Sequence, residues 1–175
     1  MTKASPPLAK GPAMGAPEGH IIDAAEIYGL YFHGPAYQVI EKAWWDGKRI
    51  VGLMANGLRN NHNPPELPTR MAPRWIELCF QTAGIWEMGI AGRMGLPRHI
   101  DRISLLSDPE QARGRTYAVV TPDPSNKSFD AEIVDAQGNT YLQLSGYRTV
   151  EIPNAVNSER LKMLQAAMSM EVAAA

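Results

Sequence analysis

Large apolar residues are nearly absent from positions 1–19 and return afterwards in several distinct rhythms. The run DAAEIYGLYF suits a short helix with Asp23 near its start, ending at Gly34-Pro35, which a helix does not easily cross. YQVIEKAWW and KRIVGLMAN, rich in aromatic and β-branched residues, predict two strands joined at Asp46-Gly47, a dipeptide suited to a tight hairpin. The polar, proline-rich RNNHNPPELPTRMAP then reads as a surface loop. From Pro73 onward the pattern changes: Trp75, Ile76, Leu78, Cys79, Phe80, Ala83, Ile85, Trp86 and Met88 leave almost no polar face. A helix apolar all round is a buried one, so a long central helix is predicted over about residues 73–90, with Pro73 in its first turn and glycines at its end. HIDRISLL, TYAVVTP, FDAEIVD and NTYLQLSGYRTVEI predict further strands, the last two joined by a glycine-containing turn at AQGN. SERLKMLQAAMSM closes the chain as an amphipathic helix, with Leu161, Leu164 and Met168 at helical spacing and Asn157 or Ser158 as cap.

The order is helix, hairpin, buried helix, then antiparallel strands, which predicts an α+β architecture: a sheet wrapped round one helix. No internal repeat interrupts it. Three segments follow from this reading: a Pro/Ala/Gly-rich arm or linker at 1–19, a domain at 20–153, and a C-terminal helix at 154–175. Such an arm suggests a domain that sits, or once sat, beside another.

Composition narrows the partners. A chain of 175 residues with 45 % hydrophobic content supports one domain with a sizeable core. Lys+Arg 17 against Asp+Glu 18, with no block of like charge, gives no electrostatic footprint for nucleic acid or an anionic membrane. No apolar run approaches the roughly 20 residues of a membrane span, and the N-terminus lacks the order of a signal peptide. The single Cys79 excludes an intrachain disulfide, and no Cys/His spacing suits zinc, so a reducing cytoplasmic setting is expected.

The chemistry concentrates on the predicted central helix. Glu77 and Gln81 are four apart and share a face, with Gly84 about one turn further on. A carboxylate in apolar surroundings has its charged form disfavoured and can hold or deliver a proton near neutral pH, while a neighbouring amide orients it or the substrate. A structural role competes: an acid in a first helical turn suits the helix dipole, and Gln81 satisfies nearby backbone. His20 and His62 read as solvated surface residues, in the arm and the polar loop. His33 and His99 stand beside structured segments, where packing is the ordinary role and a catalytic base the alternative. There is no phosphate-binding loop, dinucleotide fingerprint or nucleophile elbow. Cys79 and the nine methionines read as core, and Asp101 and Arg102 as strand-end charges.

Four segments together resemble one family. YFHGPAYQVIEKAWW resembles the opening of the C-terminal hotdog half of polyketide synthase dehydratases, as found in polyketide and polyunsaturated fatty acid synthases. ELCFQTAG resembles that family's central-helix motif, Asp-x-x-x-Gln or Asp-x-x-x-His, with Glu77 at the aspartate and Gln81 at the glutamine. GLPRHIDRI resembles its Leu-Pro segment, and FDAEIVDAQGNTYLQLSGYRTV its final hairpin. Two departures accompany the match. Glu77 is one methylene longer than aspartate, and no histidine here has the Gly and Pro spacing of the His-x-x-x-Gly-x-x-x-x-Pro motif that supplies the family's base from its other half.

The resemblance implies a single hotdog fold and dehydration of a 3-hydroxyacyl thioester. In it a histidine takes the α-proton, Glu77 protonates the leaving hydroxyl, and Gln81 holds the same oxygen. The substrate would arrive on the phosphopantetheine of an acyl carrier protein, with no bound cofactor, in a tunnel lined by His33, Gly34, Pro35, Tyr37, Gly84 and Pro97. The missing histidine would come from another protein, an upstream domain, or His33 or His99 across a homodimer. A lone hotdog pairs sheet edge to sheet edge, so a dimer or a second hotdog partner is expected. Two other readings are an inactive structural or acyl-chain-binding hotdog, and an acyl-thioesterase using Glu77.

Overall fold

Alternating burial along the apolar runs turns them into strands that all pair antiparallel round one helix. The computed structural model describes residues 10, 11, 13–17, 19–64, 71–125, 127–153 and 158–174, with backbone alone at 158 and 170–174. The elements are β1 (Ile21–Asp23), α1 (Ala24–Leu30), β2 (Ile40–Trp45), β3 (Ile50–Met54), α2 (Pro73–Trp86), β4 (Gly95–His99), β5 (Arg102–Leu105), β6 (Thr116–Pro122), β7 (Phe129–Asp135), β8 (Thr140–Glu151) and α3 (Ser158–Ala174). The sheet runs β1-β2-β3-β6-β7-β8-β4, and β5 also pairs with β8. This is the α+β arrangement read from the sequence, a sheet wrapped round a central helix.

The core is the contact between α2 and that sheet. Leu78, Cys79, Ala83 and Ile85 from the helix meet Ile40, Ala43, Ile50, Ala118, Val120, Ile133 and Leu142 from the strands, all buried. At roughly 1.5–3 kcal/mol for each large apolar side chain fully removed from water, this layer outweighs the weak helix propensity of a segment carrying Trp, Ile, Phe and Thr. Trp86 extends directly into a π turn over Glu87–Ala91, which ends at Gly92. The helical run therefore covers 73–91, close to the 73–90 expected. Leu164 and Met168 of α3 are buried on the core cluster and Leu161 is half-buried, as their spacing predicts. Asn157, one of the two residues proposed as the α3 cap, lies outside the described residues.

Several boundaries differ from the sequence reading, each for a local reason. Helix α1 starts where expected, with Asp23 and Glu26 forming a reciprocal capping box, but it ends at Leu30. Tyr31 is already extended, and the chain then crosses towards α2. The β2–β3 turn is centred on Gly47-Lys48, one residue beyond Asp46-Gly47. Asp46 N–H bonds the Arg49 carbonyl at 3.0 Å, and Gly47 takes the positive φ of 91° at the first central position. HIDRISLL is not one strand. Asp101, hydrogen-bonded by Arg148, marks the point where the chain passes from pairing with the second half of β8 to pairing with its first half. Strand β4 therefore begins at Gly95 and holds Pro97, which an edge strand tolerates. Within the segment read as an arm, Lys10 bridges Asn139 and Gly11 N–H bonds the Gly138 carbonyl at 2.8 Å, so this stretch lies beside the β7–β8 turn; residues 1–9 lie outside the described set.

Candidate functional site

Glu77 and Gln81 are joined on α2, as their spacing requires: Gln81 Nε2 donates to Glu77 Oε1 at 2.9 Å. Glu77 is the fifth residue of the helix, past its first turn, so the helix-dipole explanation for an acid there does not apply. The other atoms of Gln81 are also engaged. Its Nε2 donates to the Tyr37 carbonyl at 2.8 Å, and its Oε1 accepts from the Tyr28 hydroxyl at 2.9 Å. Both amide hydrogens are thus spent within the chain, and Gln81, 2 % exposed, acts as a bracket that holds Glu77.

The bracket is braced in turn by two tyrosines. Tyr28 accepts from Ile40 N–H at 2.7 Å while donating to Gln81, which ties α2 to the start of β2. Tyr31 donates to the Gln81 carbonyl at 2.7 Å. Burial raises the pKa of both phenols, so they remain protonated donors. Gly84 makes room for Tyr31: a Cβ at that position would collide with the Tyr31 hydroxyl.

The passage that follows α1 brings a residue to Glu77 that spacing did not place there. His33 Nε2 lies 3.0 Å from Glu77 Oε1. The ring stacks on Phe32 at 5.1 Å and meets the edge of Tyr31 at 5.2 Å, and Gln38 Nε2 donates to the His33 carbonyl at 3.0 Å. The Gln81 amide donates to Oε1, and the His33 ring nitrogen lies against the same oxygen. Among the described residues no hydrogen bond reaches Glu77 Oε2 or His33 Nδ1, and the latter atom is buried. Gly34-Pro35 forms the turn that follows, closed by Tyr37 N–H on the Gly34 carbonyl at 2.9 Å.

These groups open on a cleft of about 40 Å³, lined by Tyr31, Phe32, His33, Glu77, Phe80, Gln81, Gly84, Met94, Gly95, Leu96, Pro97 and Tyr147. Of the residues expected along a tunnel, His33, Gly84 and Pro97 line it, whereas Gly34, Pro35 and Tyr37 are not among its lining residues. The volume accommodates about one water, far below the 300 Å³ or more of a site that engulfs a ligand. Cys79 is fully buried and burial raises its pKa, which suits packing. His99 is 52 % exposed on the outer edge, paired with Asp101 at 2.8 Å, away from this cleft. His62 bonds Asn61 at 2.8 Å in the loop. Among the described residues no group of three or more His, Cys, Asp or Glu is placed to hold a metal, and no helix is long and apolar enough to cross a membrane.

One ionisable residue near the site was missed from the sequence. Glu87 is 0 % exposed, accepts from Arg93 at 2.7 Å and Thr149 Oγ1 at 2.6 Å through Oε1, and has its buried Oε2 without a partner among the described residues. Burial raises its pKa, against the lowering effects of Thr149 and Arg93. A charged residue in a segment otherwise apolar on all sides was the available signal.

Comparison with known proteins agrees with the fold. The chain is similar to the dehydratase domain from the CurF module of curacin polyketide synthase, at 20 % identity and a TM-score of 0.57 over 76 % of this chain and 48 % of that one. It is likewise similar to the dehydratase domain of the CurK module, at 19 % identity and 0.57 over 77 % and 48 %. A trans-AT dehydratase domain from Brevibacillus brevis gives 18 % identity and 0.59 over 83 % and 55 %. The chain thus spans about half the length of these structures. No curated protein sequence matches it. The family model described as "Polyketide synthase dehydratase N-terminal domain" matches residues 24–159. That description names the first half of such a domain, whereas the Glu77–Gln81 segment resembles the second. With most of its length matched, the chain belongs to the polyketide synthase dehydratase family.

Proposed function

We propose that this chain is a dehydratase-type hotdog acting on 3-hydroxyacyl thioesters presented on the phosphopantetheine of an acyl carrier protein in polyketide or fatty acid assembly. The observation that carries the reading is the Glu77 carboxyl, bracketed through Oε1 by Gln81 and with no hydrogen bond to Oε2 among the described residues, on the wall of an apolar cleft. An acid held by one oxygen presents the other to a leaving hydroxyl. The cleft is too small to enclose an acyl chain, which supports a second hotdog, or a second copy of this chain, as the opposite wall. The base then has several possible sources: a partner hotdog with the His-x-x-x-Gly-x-x-x-x-Pro motif, or a histidine of this chain.

A second reading rests on the same unpaired Oε2. With room for one water beside it, Glu77 could activate that water against a thioester, which is hydrolysis. Incubation with 3-hydroxyacyl and plain acyl pantetheine thioesters, with and without a partner hotdog, separates the two. Loss of water from the first supports dehydration, release of free acid supports hydrolysis, and neither supports a structural or acyl-holding role. Retained dehydration in Glu77→Gln would remove Glu77 from the mechanism.

A further inference from the structure

We infer that the inner end of the cleft is closed by this chain alone, so that the site takes 3-hydroxyacyl groups with short tails, of 3-hydroxybutyryl size, and that Met94 sets the limit. The inference rests on the dehydratase reading and adds the substrate class to it. The cleft has two unlike ends. Phe32, Leu96 and Pro97 line it and are exposed, Phe32 at 70 % and Leu96 at 41 %. Gly84, Met94 and Tyr147 line it and are buried.

These ends fix the direction of the acyl group. A carrier protein cannot enter the fold, so the pantetheine arm has to leave through the exposed end. With the β-hydroxyl at Glu77, the carbons beyond Cβ then point to the buried end. Two walls stop them there. The Tyr31 hydroxyl stands where a side chain on Gly84 would be and donates to the Gln81 carbonyl at 2.7 Å; Gln81 is only about 6 Å along the helix axis from Glu77. Phe80 stacks on Tyr147 at 4.5 Å, Tyr147 lies against Phe129 at 6.2 Å, and Phe129 meets Trp86 at 5.5 Å, so the second wall is backed by rings into the core. A cleft of about 40 Å³ in all leaves room for a small alkyl group at that end. A partner hotdog facing the exposed end can extend the tunnel outward, but the inner residues are already covered by this chain.

Met94 is the wall residue that can be shortened while leaving the Glu77 bracket and the ring stack intact. Tyr31 braces Gln81, and Gly84 has no side chain to lose. Met94 is held through its backbone, whose carbonyl accepts from Ile152 N–H at 2.9 Å, and its unbranched side chain fills the space that remains. Truncation to alanine leaves a cavity at the buried end, because a close-packed surround collapses only partly. Further carbons of a longer tail would occupy that cavity.

The test reads binding without turnover. The purified full chain is titrated, alone and with a hotdog carrying the His-x-x-x-Gly-x-x-x-x-Pro motif, with unreactive amide analogues of 3-hydroxybutyryl and 3-hydroxydecanoyl N-acetylcysteamine thioesters. Backbone amide signals of Gly84 and Gly95 report the cleft. The shorter analogue is expected to bind at least roughly tenfold more tightly, and Met94→Ala to erase most of that ratio. Should Met94→Ala not fold, Met94→Val removes less volume and is expected to narrow the same ratio. A parent that binds the decanoyl analogue as tightly as the butyryl one overturns the inference, as do variants that keep the parent's ratio. Enoyl formation from the two thioesters themselves tests the dehydratase reading separately. A length preference with no enoyl product from either thioester, with or without the partner, overturns that reading and leaves the length limit standing. Neither binding nor product overturns both.

Discussion

Glu77 and Glu87 lie ten residues apart on one helical run and meet opposite surroundings. Glu87 is wholly buried, its Oε1 held by Arg93 and Thr149, at the end of the run near β4 and β8. Glu77 keeps 23 % of its side chain accessible, is flanked by a histidine and an amide, and has no hydrogen bond to Oε2 among the described residues, on the wall of a cleft. Desolvation, the first argument for a proton-carrying carboxyl in an apolar helix, is strongest at Glu87. Access, which chemistry also needs, is greater at Glu77, which lines the cleft with a histidine beside it. Burial alone would therefore point to Glu87 and not to the carboxyl on the cleft. What separates the two is whether the carboxyl faces a place where a reactant can sit.

Substitution of Glu77 should give the largest effect and tests this division most directly. Glu77→Gln is expected to slow dehydration about 10²–10⁴-fold, equivalent to roughly 3–5 kcal/mol of barrier, while urea midpoints move little because the side chain is partly exposed. An unchanged rate would collapse the distinction. Glu87→Ala should do the reverse. Loss of a buried, paired carboxylate costs about 3–5 kcal/mol when its partner is fully buried. Arg93 is 33 % exposed and regains water, so a loss of roughly 1–3 kcal/mol is expected by urea unfolding, with the folded fraction still active. Tyr28→Phe probes the bracket from behind. It leaves Ile40 N–H and Gln81 Oε1 short of a partner, and is expected to cost about 1–2 kcal/mol and to lower turnover by loosening Glu77.

The fold was largely legible in the sequence because each element had a period or a run that only one structure buries well. Strands β6 and β7 match TYAVVTP and FDAEIVD residue for residue, and the all-round apolar run from Pro73 is the central helix. Strand β4 was not legible, since Pro97 and the polar residues round it carry no strand signal; its pairing is imposed by the long β8. At the site, the Glu77–Gln81 bond follows from four-residue spacing along a helix. The His33 contact spans 44 residues of chain and depends on α1 ending at Leu30, after which the chain leaves the helix at Tyr31 and passes to α2. Spacing along the chain does not encode such a crossing. Glu87 escaped notice for a different reason: its partner Thr149 arrives from a strand 62 residues away.

The smallest expected effect is a slope with pH, and it isolates the buried member of the pair. Burial raises the pKa of Glu87 in the folded protein above its ordinary value of 4.5. Below 4.5 the carboxyl is protonated in both folded and unfolded chains, and its contribution to stability is fully present. As pH rises beyond that, the unfolded chain ionises first, the folded chain binds more protons, and stability falls until the raised folded pKa is passed. Asp135 acts in the other direction and elsewhere. Burial opposes ionisation there, but the hydrogen bonds from Asn139, Tyr141 and Gln137 prevail and lower its pKa below 3.8, so its contribution is lost only as pH falls beneath that range. The stability difference between the parent and Glu87→Gln, measured by urea unfolding from pH 4 to pH 8, should therefore shift steadily against the parent as pH rises from 4.5. A difference that does not change with pH would mean that Glu87 titrates alike in the folded and unfolded chains, and the contrast in burial would fail.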